Sequence, residues 1–271
     1  MLYDAKMTPP VNEKRRPERK GIQSVEIAFR VLSVLQSSPL PLPLREIAAK
    51  AALSPSAANN YLVSLVRVGL ARADARPGYY VLGTAALALG MSALQQIDGY
   101  EAVRREVTAL RDTTVRNAAL AGWSEAGPVS LFKQDGEHSS AFEMRTGVIP
   151  VTSTASGRVF MASLPPAATV ALVRKELERI GGDPARALDV IEEARRDLER
   201  DRYVAVTRAH ASGYVSIAAP VWNMNGEVAF VIGLMDAHGM LDTSSSGPHV
   251  TALLAATARA TASLGGQSYS R

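Results

Sequence analysis

Residues 21–83 read GIQSVEIAFRVLSVLQSSPLPLPLREIAAKAALSPSAANNYLVSLVRVGLARADARPGYYVLG. Apolar residues recur at helical spacing in three segments of this stretch. Two short alternating segments follow the third, on either side of the turn signal Arg76-Pro77-Gly78. Three helices followed by a hairpin are typical of a winged helix-turn-helix, a small domain that reads duplex DNA.

Cap and stop signals bound these helices. Ser24 is the predicted N-cap of the first helix, which ends before the proline-rich run 38–43. Ser54 is the predicted N-cap of the third helix, Pro55 opens it and Gly69 stops it. The residues predicted to face the core are Val25, Ala28, Val31, Leu32 and Leu35 in the first helix, Leu44, Ile47, Ala48 and Ala51 in the second, and Ala58, Leu62, Leu65 and Val66 in the third.

The third helix is the predicted recognition helix, whose first turns enter the major groove. Asn59 and Asn60 are suited to this role because an amide both donates and accepts, as adenine N6 and N7 require. The alternative is that they form an ordinary solvated face. The candidate DNA-contacting residues are Arg15, Arg16, Arg19, Arg45, Ser54, Ser56, Asn59, Asn60, Tyr61, Ser64, Arg72 and Arg76.

The segment before the first helix is strongly basic. Residues 14–20 read KRRPERK, have no apolar face and are predicted to be disordered when free. The arginines there either enter a minor groove beside the recognition helix or form a solubilising tail. Residues 1–83 hold 12 Lys and Arg against 6 Asp and Glu, whereas residues 84–271 hold 18 against 20. The positive charge therefore lies on the predicted DNA-binding part, as attraction to phosphates requires.

The bulk composition limits the remaining possibilities. A length of 271 residues suggests two domains, and 47% hydrophobic residues allow a real core. The chain has no cysteine, which excludes disulfides, thiolate metal sites and a cysteine nucleophile. The N-terminus lacks the apolar core of a secretory signal, and no apolar stretch is long enough to span a bilayer. We expect a cytoplasmic protein with no membrane partner.

Residues 84–94 read TAALALGMSAL and are apolar around most of a helical circumference. A helix that is apolar on all sides must be covered on all sides. One interpretation is that it packs against its copy in a second subunit, so that two-fold symmetry matches a pseudo-palindromic operator. The alternative is packing onto its own domain.

The remainder predicts an α+β domain with an antiparallel sheet, because strands, helices and strands follow one another. Asn225-Gly226 between two apolar segments is a strong hairpin signal. The predicted helices are 101–116, 166–180, 187–200 and 250–264, and the predicted strands are 118–123, 129–134, 140–145, 203–208, 215–222 and 228–235.

From Gly21 onward the chain resembles the IclR-type family of bacterial transcription regulators. The likeness rests on four segments in the family's order: QSVEIAFRVL at 23–32, YVLG at 80–83, PVTSTASGR at 150–158 and SIAAPV at 216–221. The resemblance implies a GAF-like C-terminal domain that binds a small organic molecule. It also implies a homodimer or homotetramer on double-stranded DNA, acting as a repressor, an activator or both.

The implied organisation is a basic arm (1–20), a winged helix-turn-helix (21–83), a linker helix (84–100), an effector-binding domain (101–266) and a tail (267–271). In the family a pocket loop offers backbone N–H groups to the ligand, and free amides that open a helix attract anions. The Ser and Thr hydroxyls of this loop are alternatively helix caps. The candidate effector-binding residues are Trp123, Phe132, Met144, Thr154, Ala155, Ser156, Gly157, Ser216, Gly233 and Met235.

Two departures from the family pattern bear on specificity. Many relatives carry Arg where this chain has Asn60, which favours adenine over guanine. Small-carboxylate binders of the family carry a Cys and two Ser in the pocket, where this chain has Ser216, Gly233 and Met235. The predicted effector is therefore larger and less polar than glyoxylate or pyruvate, for example an aromatic acid.

Two other classes of protein are alternatives to a ligand-responsive regulator. An enzyme with an accessory DNA-binding domain needs clustered reactive groups, but the chain has no G-x-S-x-G, G-x-G-x-x-G, P-loop or H-E-x-x-H motif. His138, His210, His238 and His249 have no metal-ligand spacing, and no cofactor or catalytic residue is predicted. Asp236 either orients His238 or lies with it in a solvated loop. A purely architectural DNA protein has no use for the large C-terminal domain.

Overall fold

The computed structural model describes residues 21–137, 147–208 and 213–267. The chain divides into two compact units, and the second begins at Leu94. The predicted strand 140–145 lies outside the described residues.

The N-terminal unit is a winged helix-turn-helix, as the sequence predicts. A short strand not expected from the sequence joins the wing, giving an antiparallel three-stranded sheet in the order β1-β3-β2. The elements are α1 (Gln23–Gln36), β1 (Leu42–Pro43), α2 (Leu44–Lys50), α3 (Pro55–Arg67), β2 (Ala71–Ala73), β3 (Tyr79–Leu82) and α4 (Thr84–Gln95).

Local chemistry fixes the start and end of α3. The Ser54 hydroxyl accepts the N–H of Ala57 at 3.2 Å, and Pro55 occupies the first helical position. Gly69 follows the helix with φ +74°, a conformation that favours glycine. Both cap predictions for this helix are confirmed.

Three expectations for the N-terminal unit are wrong. The first helix begins at Gln23 without a side-chain cap, so Ser24 is not its N-cap. Val25 is 63% exposed, because the core reaches α1 only from Ala28 onward. Val66 is also exposed, since α1, α2 and β2 pack against α3 and the buried residues of α3 are Ala58, Leu62 and Leu65.

The C-terminal unit is an α+β domain with a six-stranded antiparallel sheet. The strand order is β6-β5-β4-β9-β8-β7, so β7 and β6 are the edges. The elements are α5 (Tyr100–Thr114), β4 (Asn117–Ser124), β5 (Gly127–Gln134), β6 (Gly147–Val148), α6 (Ala155–Ser163), α7 (Pro166–Arg179), α8 (Ala187–Asp201), β7 (Val204–Arg208), β8 (Tyr214–Trp222), β9 (Val228–Ala237) and α9 (Pro248–Ser263).

Helices cover both faces of this sheet, so the central strands are apolar on both sides. Ile217 and Ile232 belong to the core that α5 and α9 complete. Ala218 and Val231 belong to the core on the other face, with α6 and α8. The predicted hairpin turn is confirmed, since Gly226 has φ +73° between β8 and β9. In α8, Ile191, Ala194 and Leu198 are buried, whereas Leu188 is 51% exposed.

The arrangement places the start of α6 over the middle of the sheet. In each cross-strand row, residues opposite one another share a face. Ala119 and Ala218 flank Gly233 on either side in one such row. This row lies on the α6 face and forms the floor of the candidate effector site.

Candidate DNA-binding and effector sites

The recognition helix α3 presents a polar strip to solvent. Ser56, Asn60 and Ser64 are exposed, whereas Asn59 and Tyr61 are half-buried. Tyr61 packs against the core of the N-terminal unit. The strip accessible to DNA is therefore narrower than the set of residues predicted from the sequence.

Hydrogen bonds within the helix leave Asn60 as the free amide of this strip. Ser54 is occupied as the cap, and the Ser64 hydroxyl donates to the carbonyl oxygen of Asn60 at 3.1 Å. The side-chain amide of Asn60 has no hydrogen-bond partner among the described residues. It can therefore offer a donor and an acceptor together to a base edge.

In the wing, contacts with Asp74 and Tyr79 hold the side chain of Arg76 in place. Arg76 Nε lies 3.0 Å from Asp74 Oδ2, and the guanidinium lies 4.4 Å from the centre of the Tyr79 ring. The hydrogen bond from Arg76 lowers the pKa of the Asp74 carboxyl. Arg72 and Arg45 are exposed. Arg15, Arg16 and Arg19 lie outside the described residues.

The first turn of α6 forms the second candidate site. The Thr154 hydroxyl accepts the N–H of Gly157 at 3.0 Å and donates to the carbonyl of Pro150 at 2.7 Å. Thr154 is thus a helix cap, the alternative that the sequence left open. The N–H groups of Ala155 and Ser156 have no acceptor among the described residues, as expected in the first turn of a helix.

Two glycines allow α6 to approach its neighbours closely. A Cβ built on Gly157 would lie 2.3 Å from the carbonyl oxygen of Pro150. A Cβ built on Gly233 would lie 3.3 Å from the Ser156 hydroxyl oxygen. The loop before α6 therefore contacts the helix directly, and the first turn of α6 lies against Gly233 on the sheet.

Beside this floor, a second row of the sheet carries polar groups. Asn117 and Ser216 flank Met235, all on the α6 face. Asn117 is buried, and its Oδ1 accepts the N–H of Gly136 at 3.0 Å. Asn117 is not among the site residues predicted from the sequence, although it has the same parity on β4 as Ala119, and this alternation is the pattern by which it can be found.

The structure does not bring the remaining predicted effector residues together. Trp123 lies on the α6 face, with its ring 5.5 Å from the ring of Phe160. Phe132 packs on the opposite face, where the Arg104 guanidinium lies 5.3 Å from its ring centre. Leu131 is an extra residue in β5 opposite the step from Leu120 to Ala121 in β4, and this bulge disturbs the alternation along β5, so the assignment of Phe132 to this site is corrected. Met144 lies outside the described residues.

A charged cluster lies where β9 ends and α9 begins, on the face that α5 and α9 cover. Arg116 Nη1 lies 3.2 Å from the buried carboxylate of Asp236. The His249 Nδ1 accepts the N–H of Asp242 at 2.9 Å. Burial, and secondarily the charge of Arg116, lowers the pKa of His249. Asp236 is therefore neither solvated nor bonded to His238, which corrects both interpretations of that pair.

A cleft of about 420 Å³ lies near this cluster and contains none of the predicted effector residues. Its lining residues include Thr207, His238, Met240, Thr243 and His249. In the described ranges, no group of three or more His, Cys, Asp or Glu side chains is placed to hold a metal ion. No helix in the same ranges is long and apolar enough to cross a membrane.

A winged helix-turn-helix joined to an α+β domain defines a class of two-domain DNA-binding proteins. The profile of the IclR helix-turn-helix domain matches residues 24–75, and the profile of the bacterial transcriptional regulator IclR C-terminal domain matches residues 91–263. The chain therefore belongs to the IclR family of DNA-binding transcription regulators.

Individual relatives agree with this assignment. The chain is 25% identical over 224 residues to the HTH-type transcriptional regulator XynR of Escherichia coli, covering 82% of this chain and 88% of XynR. An IclR family regulator from Brucella abortus superposes with a TM-score of 0.74 at 20% identity, covering 94% and 96% of the two chains. An IclR homologue from Microbacterium hydrocarbonoxydans, crystallised with 4-hydroxybenzoate, superposes with a TM-score of 0.67 at 19% identity, covering 89% and 98%.

Proposed function

We propose that this regulator binds a pseudo-palindromic operator as a homodimer or homotetramer, and that a small organic acid bound to its C-terminal unit modulates that binding. The observation that carries the effector part is the position of α6. Within the part of the chain that the structure describes, its first turn leaves the N–H groups of Ala155 and Ser156 without acceptors, and it lies against Gly233 in a row of small residues.

For DNA recognition, α3 enters the major groove and Asn60 reads a base edge. Its exposed, unbonded amide supports this role, and adenine is the base that an amide matches. Arg72 and Arg45 are exposed cations suited to phosphates, and the arginines of the N-terminal arm carry the same charge. Arg76 is paired with Asp74. It can reach a DNA phosphate either by breaking this ion pair or by binding the phosphate while it remains paired.

The exposed apolar side chains of the N-terminal unit support association of two copies. None of the residues of α4 is buried in the single chain, and Leu87, Leu89 and Met91 are each more than half exposed. On α1, Val25 and Phe29 are also more than 60% exposed. Large exposed apolar side chains cluster where a partner covers them, and two-fold pairing places two recognition helices on the two half-sites of an operator.

For the effector, a carboxylate accepts from the free amides at the start of α6 while the rest of the molecule lies along the sheet. Ala119, Gly233 and Ala218 give this part of the sheet a flat apolar surface. Met235 adds apolar surface, and Ser216 supplies one hydroxyl. This composition favours a planar aromatic acid over glyoxylate or pyruvate, and the complex of the Microbacterium homologue with 4-hydroxybenzoate supports the same class.

Isothermal titration tests the effector part directly. The purified protein is titrated with benzoate and 4-hydroxybenzoate, and separately with pyruvate and glyoxylate. Titration of 4-hydroxybenzamide shows whether the negative charge is required. We expect heat of binding from at least one aromatic acid and none from its amide. Tight binding of pyruvate together with no binding of the aromatic acids contradicts the proposed effector class.

A further inference from the structure

Thr152 anchors the loop before α6 through hydrogen bonds of its N–H, its hydroxyl and its carbonyl. Its N–H and its hydroxyl both donate to Oε2 of Glu176, at 2.9 and 2.7 Å. Its carbonyl accepts from Nε of Arg158 at 2.8 Å. Thr152 itself is buried, with 8% of its surface exposed. The loop is therefore held from α7 on one side and from α6 on the other.

Glu176 also holds the preceding residue. Its Oε1 accepts the N–H of Val151 at 2.7 Å, so the carboxylate receives three hydrogen bonds from two consecutive loop residues. Hydrogen bonds to a charged acceptor are among the stronger ones in proteins. The buried residues of α7 are Thr169 and Val173, and Glu176 lies half-buried three residues beyond Val173.

Close packing transmits the position of this loop to α6. The carbonyl of Pro150 and the backbone of Val151 lie where a Cβ on Gly157 would stand, at 2.3 and 2.7 Å. Pro150 also accepts the hydroxyl of Thr154, the cap of α6. A shift of the loop therefore moves the first turn of α6, and with it the free amides of Ala155 and Ser156.

We propose that Glu176 is a positioning residue of the effector site, whose carboxylate fixes the loop before α6 so that these two amides meet the carboxylate of the ligand. The inference rests on the proposed function in naming the ligand as an acid. Glu176 does not contact the ligand in this scheme. The negative charge of Glu176 repels an anionic ligand. If Glu176 acted only through this charge, neutralising it would tighten ligand binding. If Glu176 positions the loop, neutralising it weakens ligand binding.

The test compares Glu176→Gln with Glu178→Gln, an exposed glutamate two residues away on the same helix. Amide hydrogen exchange is measured across residues 149–158, and 4-hydroxybenzoate binding is measured by titration. Glu176→Gln should speed exchange of the Val151 and Thr152 amides and weaken 4-hydroxybenzoate binding, each by roughly tenfold or more, as expected when a charge-assisted hydrogen bond is lost. Glu178→Gln should change neither quantity.

Three results are decisive against the proposal or the function beneath it. Unchanged exchange in Glu176→Gln shows that the carboxylate does not hold the loop. Faster exchange with unchanged or tighter binding shows that the loop does not position the ligand. The exchange measurement needs no ligand and is therefore independent of the binding measurement. If Glu176→Gln speeds exchange but the wild-type protein binds no aromatic acid, the role of Glu176 in the loop is supported and the proposed effector class is contradicted.

Discussion

Replacing Gly157 by Ala tests the contact between α6 and the loop that precedes it. Gly157 is buried in the first turn of α6. A Cβ there meets the oxygen of Pro150 at 2.3 Å and both Cα and O of Val151 at 2.7 Å. All three atoms are backbone, in a loop that Glu176 and Arg158 hold in place, so the clash cannot be relieved by rotating a side chain.

The expected magnitude follows from two opposing effects. Alanine is favoured over glycine in a helix by about 1 kcal/mol. Overpacking costs roughly 1–3 kcal/mol, and a contact with fixed backbone belongs at the upper end. We therefore expect Gly157→Ala to lower the free energy of unfolding of the C-terminal unit by ~2 kcal/mol, although the substitution is normally stabilising in a helix.

Gly233→Ala is the matched control. Its Cβ would lie 3.3 Å from the Ser156 hydroxyl oxygen and from the carbonyl oxygen of Ile217, a tight but tolerable distance. We expect its effect on stability to stay within about 1 kcal/mol, because alanine also lowers the entropic cost of glycine in a strand.

Urea unfolding followed by tryptophan fluorescence measures both variants. Trp123 and Trp222 are the tryptophans of the chain, and both belong to the C-terminal unit, so the signal reports this unit alone. A Gly157→Ala protein as stable as wild type, or less affected than Gly233→Ala, would refute the close packing of α6 on its loop.

Three further predictions concern DNA recognition and pH. Asn60→Ala should cost roughly 1–3 kcal/mol on a specific operator but little on random duplex; equal losses in fluorescence anisotropy titrations exclude base reading. Replacing Arg15 and Arg16 by Ala should reduce the salt slope of binding by about 0.9 for each lost phosphate contact; an unchanged slope removes the arm from the interface. Because the pKa of His249 is lowered on folding, the unfolded chain binds the proton more tightly, so stability should fall as pH drops below about 6.5. His249→Asn should flatten that fall in urea titrations from pH 8 to 5, and an equally steep fall contradicts the assignment.

The parts of the fold that the sequence predicted are those with local signals. Ser54, Pro55 and Gly69 determine the limits of α3 through contacts within a few residues. Asn225-Gly226 likewise determines a hairpin. These signals act between residues a few positions apart in the sequence, which is the range over which sequence patterns predict local structure best.

The errors arise where distant parts of the chain decide the outcome. Val25 has the helical spacing of a core residue, but no element of the described residues covers the first turn of α1. The prediction for Phe132 is wrong because the bulge at Leu131 of β5 depends on the pairing with β4 and has no signal in the sequence of β5 itself. No local signal in the sequence marks Glu176, since its partners Val151 and Thr152 lie 25 and 24 residues away.

A gel-shift titration of the protein on the DNA upstream of its own gene, with and without 4-hydroxybenzoate and related aromatic acids, tests effector-controlled DNA binding most directly. We expect a shifted band whose midpoint moves with one of these acids and does not move with pyruvate. A shift that no acid alters would contradict the proposed effector control while leaving the DNA-binding assignment intact. Absence of any shift, at low salt and on a pool of random duplexes as well, would contradict the recognition role of α3.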